Sequence, residues 1–455
     1  VKISQKKCLF SINIEVVMLV EFTVGNFRSF KDHVTLSMVA AKLSSRDPKI
    51  DENNTFKYDE NLTLLKSAAV YGANASGKSN LVNALGFMRW FIINSSKESQ
   101  ADDPIDFHPF RLDVRTEEAP SFFEAVFLIA GIIYRYGFEV TKQRVESEWL
   151  FYSPHGREAK IFIRENDEIT ISRTYKGGEP LKTMTRSNAL YLSVGAQFNN
   201  EIATEVLNWF RNFGVISGLD DIGYSGFTAN MFSNNLKYRK NILELIRNSD
   251  IGINDVSIEK VESSDPKLLP EDMPSEIREY LLKKLKDGGE ILNFKTLHNK
   301  LCKDGKIEKI SFDLEDESEG TQKLFHISGP IINTLLEGKI LVIDEIEARM
   351  HTLLTRNIIK LFQSEITNPK NAQLLFATHD TNLLSNKLLR RDQIWFVEKD
   401  EFGASHLYSL AELKVRNDSS FEKDYLQGRY GAIPLIGEIK QTLLDLAEDE
   451  NNAAS

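Results

Sequence analysis

Along the chain, apolar positions change period several times, and each change predicts a different element. From Met18 the stretch MLVEFTVGNFRSF reads as a first strand. Ala68 to Tyr71 is a short apolar run, and the residues after it carry Leu81, Leu85 and Met88 at helical spacing. Between about Phe110 and Tyr175 the pattern alternates, in FFEAVFLIAGIIYRYGFEV, AKIFIREND and EITISRTY, which predicts antiparallel strands and hairpins forming a β lobe. EIATEVLNWFRNF, LKYRKNILELIRN and SEIREYLLKKLKDG then return to helical spacing, so about Met184 to Gly289 is expected to be a mostly helical insertion, with SSDPKLLPEDMP as a loop inside it. Two further apolar runs, Ile340 to Ile343 and Leu374 to Ala377, read as buried parallel strands separated by a helix over about Thr352 to Ile366.

Strands alternating with helices around apolar runs give an α/β class. The expected division is an extension over residues 1–17, a first part with the β lobe over 18–183, the helical insertion over 184–300, a second part over 301–440 and an acidic tail over 441–455, LAEDENNAAS being read as disordered. No segment sustains heptads long enough for an extended coiled-coil arm, so the insertion is expected to be compact.

Composition narrows this picture only a little. In 455 residues, 42% are hydrophobic and 27% charged, as in folded globular proteins. The formal charge of −10 argues against a basic coat but leaves DNA binding open, and the basic pieces RNFG, LKYRKN and LLKKLK read as solvated helix faces, with a nucleic-acid or partner surface as the alternative. Cys8 and Cys302 lie far apart with no neighbouring ligand set, which excludes a disulfide framework and fits a reducing cytoplasm. Lys6 and Lys7 precede the apolar CLFSINIEVVMLVEF, but Asn13 and Glu15 interrupt it, so neither a targeting signal nor a membrane partner is expected.

The chemistry starts at YGANASGKSN. Gly72, Gly77, Lys78 and Ser79 satisfy G-x-x-x-x-G-K-[ST] with a strand before and a helix after, and Asn74, Ser76 and Asn80 complete the candidate nucleotide-binding set. Glycines let backbone N–H groups turn inward around phosphates, Lys78 reaches the β/γ-phosphates, and the Ser79 hydroxyl is a Mg²⁺ ligand. ATP and Mg²⁺ are therefore the expected ligands. The Ile340–Ile343 strand runs into Asp344 and Glu345, placing carboxylates where open α/β sheets bind ligands. Asp344 is the candidate for holding Mg²⁺, and Glu345 for orienting or deprotonating the attacking water. The next strand ends in Thr378, His379 and Asp380, and His379 is the candidate for touching the γ-phosphate.

A phosphate loop, an Asp-Glu strand end and a strand-end His in that order resemble the ATP-binding cassette (ABC) class of ATPases. Its remaining element is a signature of the LSGGQ type before the Asp-Glu strand, and SEGTQ, Ser318 to Gln322, stands in that place, with Glu319 and Thr321 departing from the usual small residues. The resemblance implies that Ser318 and Gly320 of one chain close over ATP held by another, giving a homo-dimer or higher homo-oligomer through composite sites, with the following helix starting at about Gln322. MLVEFTVGNFRSFKD, YGANASGKSNL and the late LLRRDQIWFVEKD and YLQGRYGAIP further resemble the stand-alone RecF/SMC/OLD-like bacterial ATPases, with AbiL-like and RloA-like phage-defence proteins among their relatives. The implied fold is an ABC-type P-loop ATPase head with an antiparallel β lobe and a helical insertion. The implied function is ATP-driven head engagement that regulates a separately encoded effector in anti-phage defence. The alternative is a RecF-like clamp with DNA as partner.

Overall fold

The computed structural model describes residues 17–154, 156–249, 252–261 and 291–434. The extension up to residue 16, the SSDPKLLPEDMP loop, the SEIREYLLKKLKDG helix with its LLKKLK piece, and the acidic tail lie outside the described residues.

Two sheets enclose the phosphate-loop helix. The first has six strands in the order Phe213–Ser217, Ile340–Asp344, Gln373–Ala377, Ser67–Tyr71, Ile394–Lys399 and Ser405–Ser409. The first five run parallel, and the last is antiparallel to its neighbour. All five residues of Ser67–Tyr71 and of Gln373–Ala377 are buried, as parallel strands covered on both faces require. Alternate side chains divide between two cores. Val70, Val342, Leu375, Ala377 and Val397 face the helix Lys78–Asn94 and the second sheet. Tyr71, Leu341, Ile343, Phe376 and Phe396 face the helices Glu319–Glu337 and Thr352–Gln363 on the other side.

The second sheet is the expected β lobe. Its seven antiparallel strands run in the order Glu168–Ile171, Ala159–Glu165, Val145–Ser153, Ile132–Val140, Ser121–Ile129, Val17–Gly25 and Val34–Ser37. The strand Val17–Gly25, first among the described residues, thus joins the lobe rather than the parallel sheet.

In the stretch expected as a mostly helical insertion, residues 184–300, the described residues contain the helices at EIATEVLNWFRNF and LKYRKNILELIRN, but also strands. Its helices Tyr191–Gln197 and Glu201–Arg211 belong to the core around the phosphate-loop helix, with Trp209 stacked 4.3 Å from Phe127. Phe213–Ser217 then forms the edge of the parallel sheet. Its apolar positions follow a helix without a break, so periodicity alone merges the two. Ile222–Asn234 and Leu236–Arg247 are helical and pack on Glu319–Glu337. They share a small core with a three-stranded sheet, Asp255–Val261, Ile291–Leu301 and Ile307–Asp313, which crosses the expected boundary at residue 300. Among the described residues, no helix is long and apolar enough to cross a membrane.

Candidate functional site

The parallel strands carry the candidate residues to one edge of their sheet. Ser67–Tyr71 opens into the loop Gly72–Gly77, and the helix starts at Lys78. Gly77 sits at φ +119, and a Cβ there would lie 2.4 Å from Ser405 Oγ and 2.8 Å from Ser29 Oγ. A side chain is excluded twice, by the left-handed backbone and by the hydroxyls behind it. Those hydroxyls form a buttress: Ser405 Oγ donates to the Ser76 carbonyl at 2.5 Å and lies 2.8 Å from Ser29 Oγ, and Asn80 Nδ2 donates to Ser29 Oγ at 2.7 Å. Gly72 is closed in as well, since a Cβ would lie 2.3 Å from the Val397 carbonyl.

Lys78 is only 5% exposed, and its Nζ donates to the carbonyls of Gly72 at 2.8 Å and Ala73 at 3.0 Å. Burial pushes its pKa down to about 8, opposed by the charges of Asp344, Glu345 and Glu347. Asn74 is exposed at the tip of the loop, and Ser79 and Asn80 are half-buried on the first turn of the helix.

Two strands over, Asp344 ends Ile340–Asp344, and Glu345 follows at φ +51, a left-handed conformation uncommon for a residue with a side chain. Asp344 Oδ1 is buried and has no hydrogen-bond partner among the described residues, and the same holds for Ser76 Oγ and Glu347 Oε2. An acceptor left without a donor in a buried place fits a hard cation, so the donor set around Asp344 and Ser79 suits Mg²⁺. Between these strands, Ile346 N–H donates to the Ala377 carbonyl at 3.2 Å. His379 is exposed just beyond Ala377, and its backbone N–H donates to Glu347 Oε1 at 2.5 Å. Glu347 therefore ties the turn that follows Asp344 and Glu345 to the backbone of His379. Sequence reading missed it, although it sits two residues after Glu345 in DEIEA.

At the signature stretch, Ser318 caps the helix Glu319–Glu337, which starts three residues earlier than the expected Gln322. Its Oγ accepts from Thr321 N–H at 3.2 Å and lies 2.9 Å from Thr321 Oγ. Thr321 thus completes the cap, which is a local reason for its departure from a small residue. The other departure, Glu319, reaches Arg349 at 3.6 Å, and a Cβ on Gly320 would lie 2.7 Å from the Arg349 carbonyl. Within a single chain, then, the start of this helix is seated on the turn that follows Glu345, and the smallness of Gly320 has an intramolecular cause. The late YLQGRYGAIP segment packs behind the parallel sheet: Tyr430 OH donates to Asp424 at 3.1 Å, and the Tyr430 carbonyl accepts from Tyr408 OH at 2.7 Å.

Beside the phosphate loop opens a cleft of about 1540 Å³, lined in part by Arg28, Ser29, Asn80, Phe107, His108 and Lys399. Its wall is held by Asn26 of the NFRSF stretch, whose side chain donates to the carbonyls of Thr116 and Ala119 and accepts from Phe110 N–H.

Residues 67–385 match the model of the family described as "AAA domain, putative AbiEii toxin, Type IV TA system". An uncharacterized protein of Staphylococcus aureus (strain USA300) is 33% identical over 73 residues, which are 16% of this chain and 28% of that protein. Its counterpart in strain NCTC 8325 / PS 47 matches to the same extent, so the aligned stretch spans little more than a quarter of these relatives. Among solved structures, the SMC head domain from Thermotoga maritima is 12% identical, with 87% of this chain and 99% of that chain covered and a TM-score of 0.39. The recombination mediator protein RecF with ATP is 14% identical, with 81% and 94% covered and a TM-score of 0.30.

Proposed function

The chain belongs to the family described as "AAA domain, putative AbiEii toxin, Type IV TA system" and carries an AAA/ABC-type P-loop ATPase domain, and from that premise we propose that it binds and hydrolyses ATP to engage and release two heads. The observation that carries this reading is the convergence of three strand ends and one helix start. Lys78, Asp344 with Glu345, His379 and the start of the Glu319–Glu337 helix stand around one sheet edge, as an in-line attack on a γ-phosphate needs.

In this reading Gly72, Asn74, Ser76 and Gly77 wrap the phosphates with backbone N–H groups, and Lys78 exchanges its two loop carbonyls for phosphate oxygens. Asn80 keeps the loop on its Ser29 buttress, and the adjoining cleft receives the nucleoside. Ser79 and Asp344 would hold Mg²⁺, which would supply neutralisation of phosphate charge there. Glu345 orients and deprotonates the attacking water, and His379, steadied by Glu347, contacts the γ-phosphate. Ser318 and Gly320 are offered to the ATP of a second copy. The domain division is proposed as an ATPase core with its β lobe, and a helical and three-stranded lobe inserted between Ser217 and Ser318.

The conformational cycle is the output. We assign it to the cytoplasm and to regulation of a separately encoded effector in anti-phage defence, in the manner of AbiL-like and RloA-like ATPases; the Type IV TA system in the family description supports that setting.

Light scattering with and without ATP tests the core of the reading. Glu345→Gln should assemble with ATP, whereas Lys78→Ala and Ser318→Arg should not. Removing the Ser318 cap costs about 1 kcal/mol of stability, so thermal melts accompany the series. An assembly state indifferent to ATP and to Ser318→Arg would overturn head engagement. Steep, salt-sensitive DNA binding that appears only with ATP would replace the effector by DNA.

A further inference from the structure

Lys323 is a buried cation that the ATP chemistry described above leaves unused. It lies one turn into the Glu319–Glu337 helix and is 2% exposed. A lysine so placed needs partners, because an ammonium in an apolar interior carries a large desolvation cost. Its Nζ donates to the Gly218 carbonyl and, at 2.6 Å, to Tyr224 OH, and it stands 5.3 Å over the Tyr224 ring. Burial lowers its pKa to about 8, while Asp221 and Asp220 favour the charged form and Arg349 opposes it. Asp221 is also engaged by His326 Nδ1 at 2.5 Å, from the next turn of the same helix.

Gly218 connects this lysine to the candidate base. It follows Phe213–Ser217, whose Ser217 is paired in register with Asp344. Gly218 N–H donates to the Asp344 carbonyl at 2.6 Å. A Cβ on Gly218 would lie 1.9 Å from the Glu345 carbonyl oxygen, so its backbone is pressed against the turn that holds Glu345 at φ +51. One residue thus holds the Glu345 turn with its N–H and the helix with its carbonyl. Gly320, against the Arg349 carbonyl, seats the same helix on the far side of that turn. The start of the helix and the carboxylate turn are held as one unit at two points.

We propose that Lys323 is a positioning residue that transmits the seating of the Ser318–Gln322 helix start, through Gly218, to the carboxylate of Glu345, so that hydrolysis proceeds only when that helix is correctly engaged. The proposal rests on the reading of Glu345 as the group that activates water. An apolar side chain would fill the same volume, but it would leave the Gly218 carbonyl without its charged donor and let the turn relax.

The test is Lys323→Met in the full chain, read by ATP affinity, kcat and ATP-dependent light scattering. The expected result is a loss of at least about tenfold in kcat, with ATP Kd within twofold of wild type and assembly with ATP retained. Lys323→Met combined with Glu345→Gln should be no slower than Glu345→Gln alone, because both act on one step. Gly218→Ala, which must displace the Glu345 turn from the other side, should show the same split between kcat and Kd. It decides the matter if Lys323→Met does not fold. The proposal is overturned if Lys323→Met keeps its kcat, if kcat and affinity fall together, if the double variant multiplies the two losses, or if Gly218→Ala hydrolyses normally. A fully active Glu345→Gln would instead overturn the reading of Glu345, whatever Lys323→Met does.

Discussion

Raising the pH should weaken ATP binding through a single group, Lys78. In the free protein its ammonium is 5% exposed, is held by the carbonyls of Gly72 and Ala73, and has its pKa pushed down by burial from 10.5 to about 8. Phosphate oxygens would restore the charged form, so the complex binds more protons than the free protein above pH 8, and affinity must fall as pH rises. At pH 9 about one free molecule in ten retains the charge, which corresponds to a roughly tenfold weaker Kd, or about 1.4 kcal/mol. Titration calorimetry at pH 7, 8, 9 and 9.5, in buffers of different ionisation enthalpy, reads both the affinity and the proton uptake. Lys78→Met should bind weakly at every pH and show a flat profile. A wild-type Kd unchanged between pH 7 and 9.5, without proton uptake, would refute the reasoning. The same shift has the opposite sign for folding without ATP: the unfolded chain holds the proton more tightly, so stability should rise as pH goes from about 8 towards 10.5.

Substitutions at two positions extend the predictions. Gly77→Ala forces a Cβ to within 2.4 Å of Ser405 Oγ at φ +119; the backbone and overpacking penalties together amount to about 2–5 kcal/mol, and urea denaturation should show that loss alongside failure to bind ATP. Glu347→Ala removes the acceptor of the His379 N–H and should lower kcat by about tenfold, the upper worth of one hydrogen bond. Glu347→Gln, which keeps an oxygen there, should stay within about threefold of wild type; equal impairment of the two variants in steady-state hydrolysis would show that the charge, not the bond, matters.

What the sequence determined by itself was local and chemical. The strand, loop and helix around Gly72–Ser79, the apolar run ending in Asp344 and Glu345, and the apolar run before His379 are each contiguous, and their periods are those of the elements that form. Alternation between Phe110 and Tyr175 likewise sufficed for the β lobe, because a half-buried antiparallel strand writes its two faces into every second residue. Even the place of Ser318–Gln322 was legible, as a polar break before a helix.

Tertiary structure decided which distant residues meet. Ser405 reaches Ser29 across 376 positions and Lys323 reaches Gly218 across 105, and neither partner bears a periodic or compositional mark of the other. By its pattern Phe213–Ser217 merges with the helical insertion, because five residues are too few to show their own period beside an amphipathic helix. Only its pairing with Ile340–Asp344 makes it a strand of the ATPase sheet. The departures at Glu319 and Thr321 were anomalies in the motif, and the fold gives each a neighbour, Arg349 for one and the Ser318 cap for the other. Motifs are short enough to be carried by consecutive residues, whereas the contacts that hold a motif in its working geometry are closed by the whole chain.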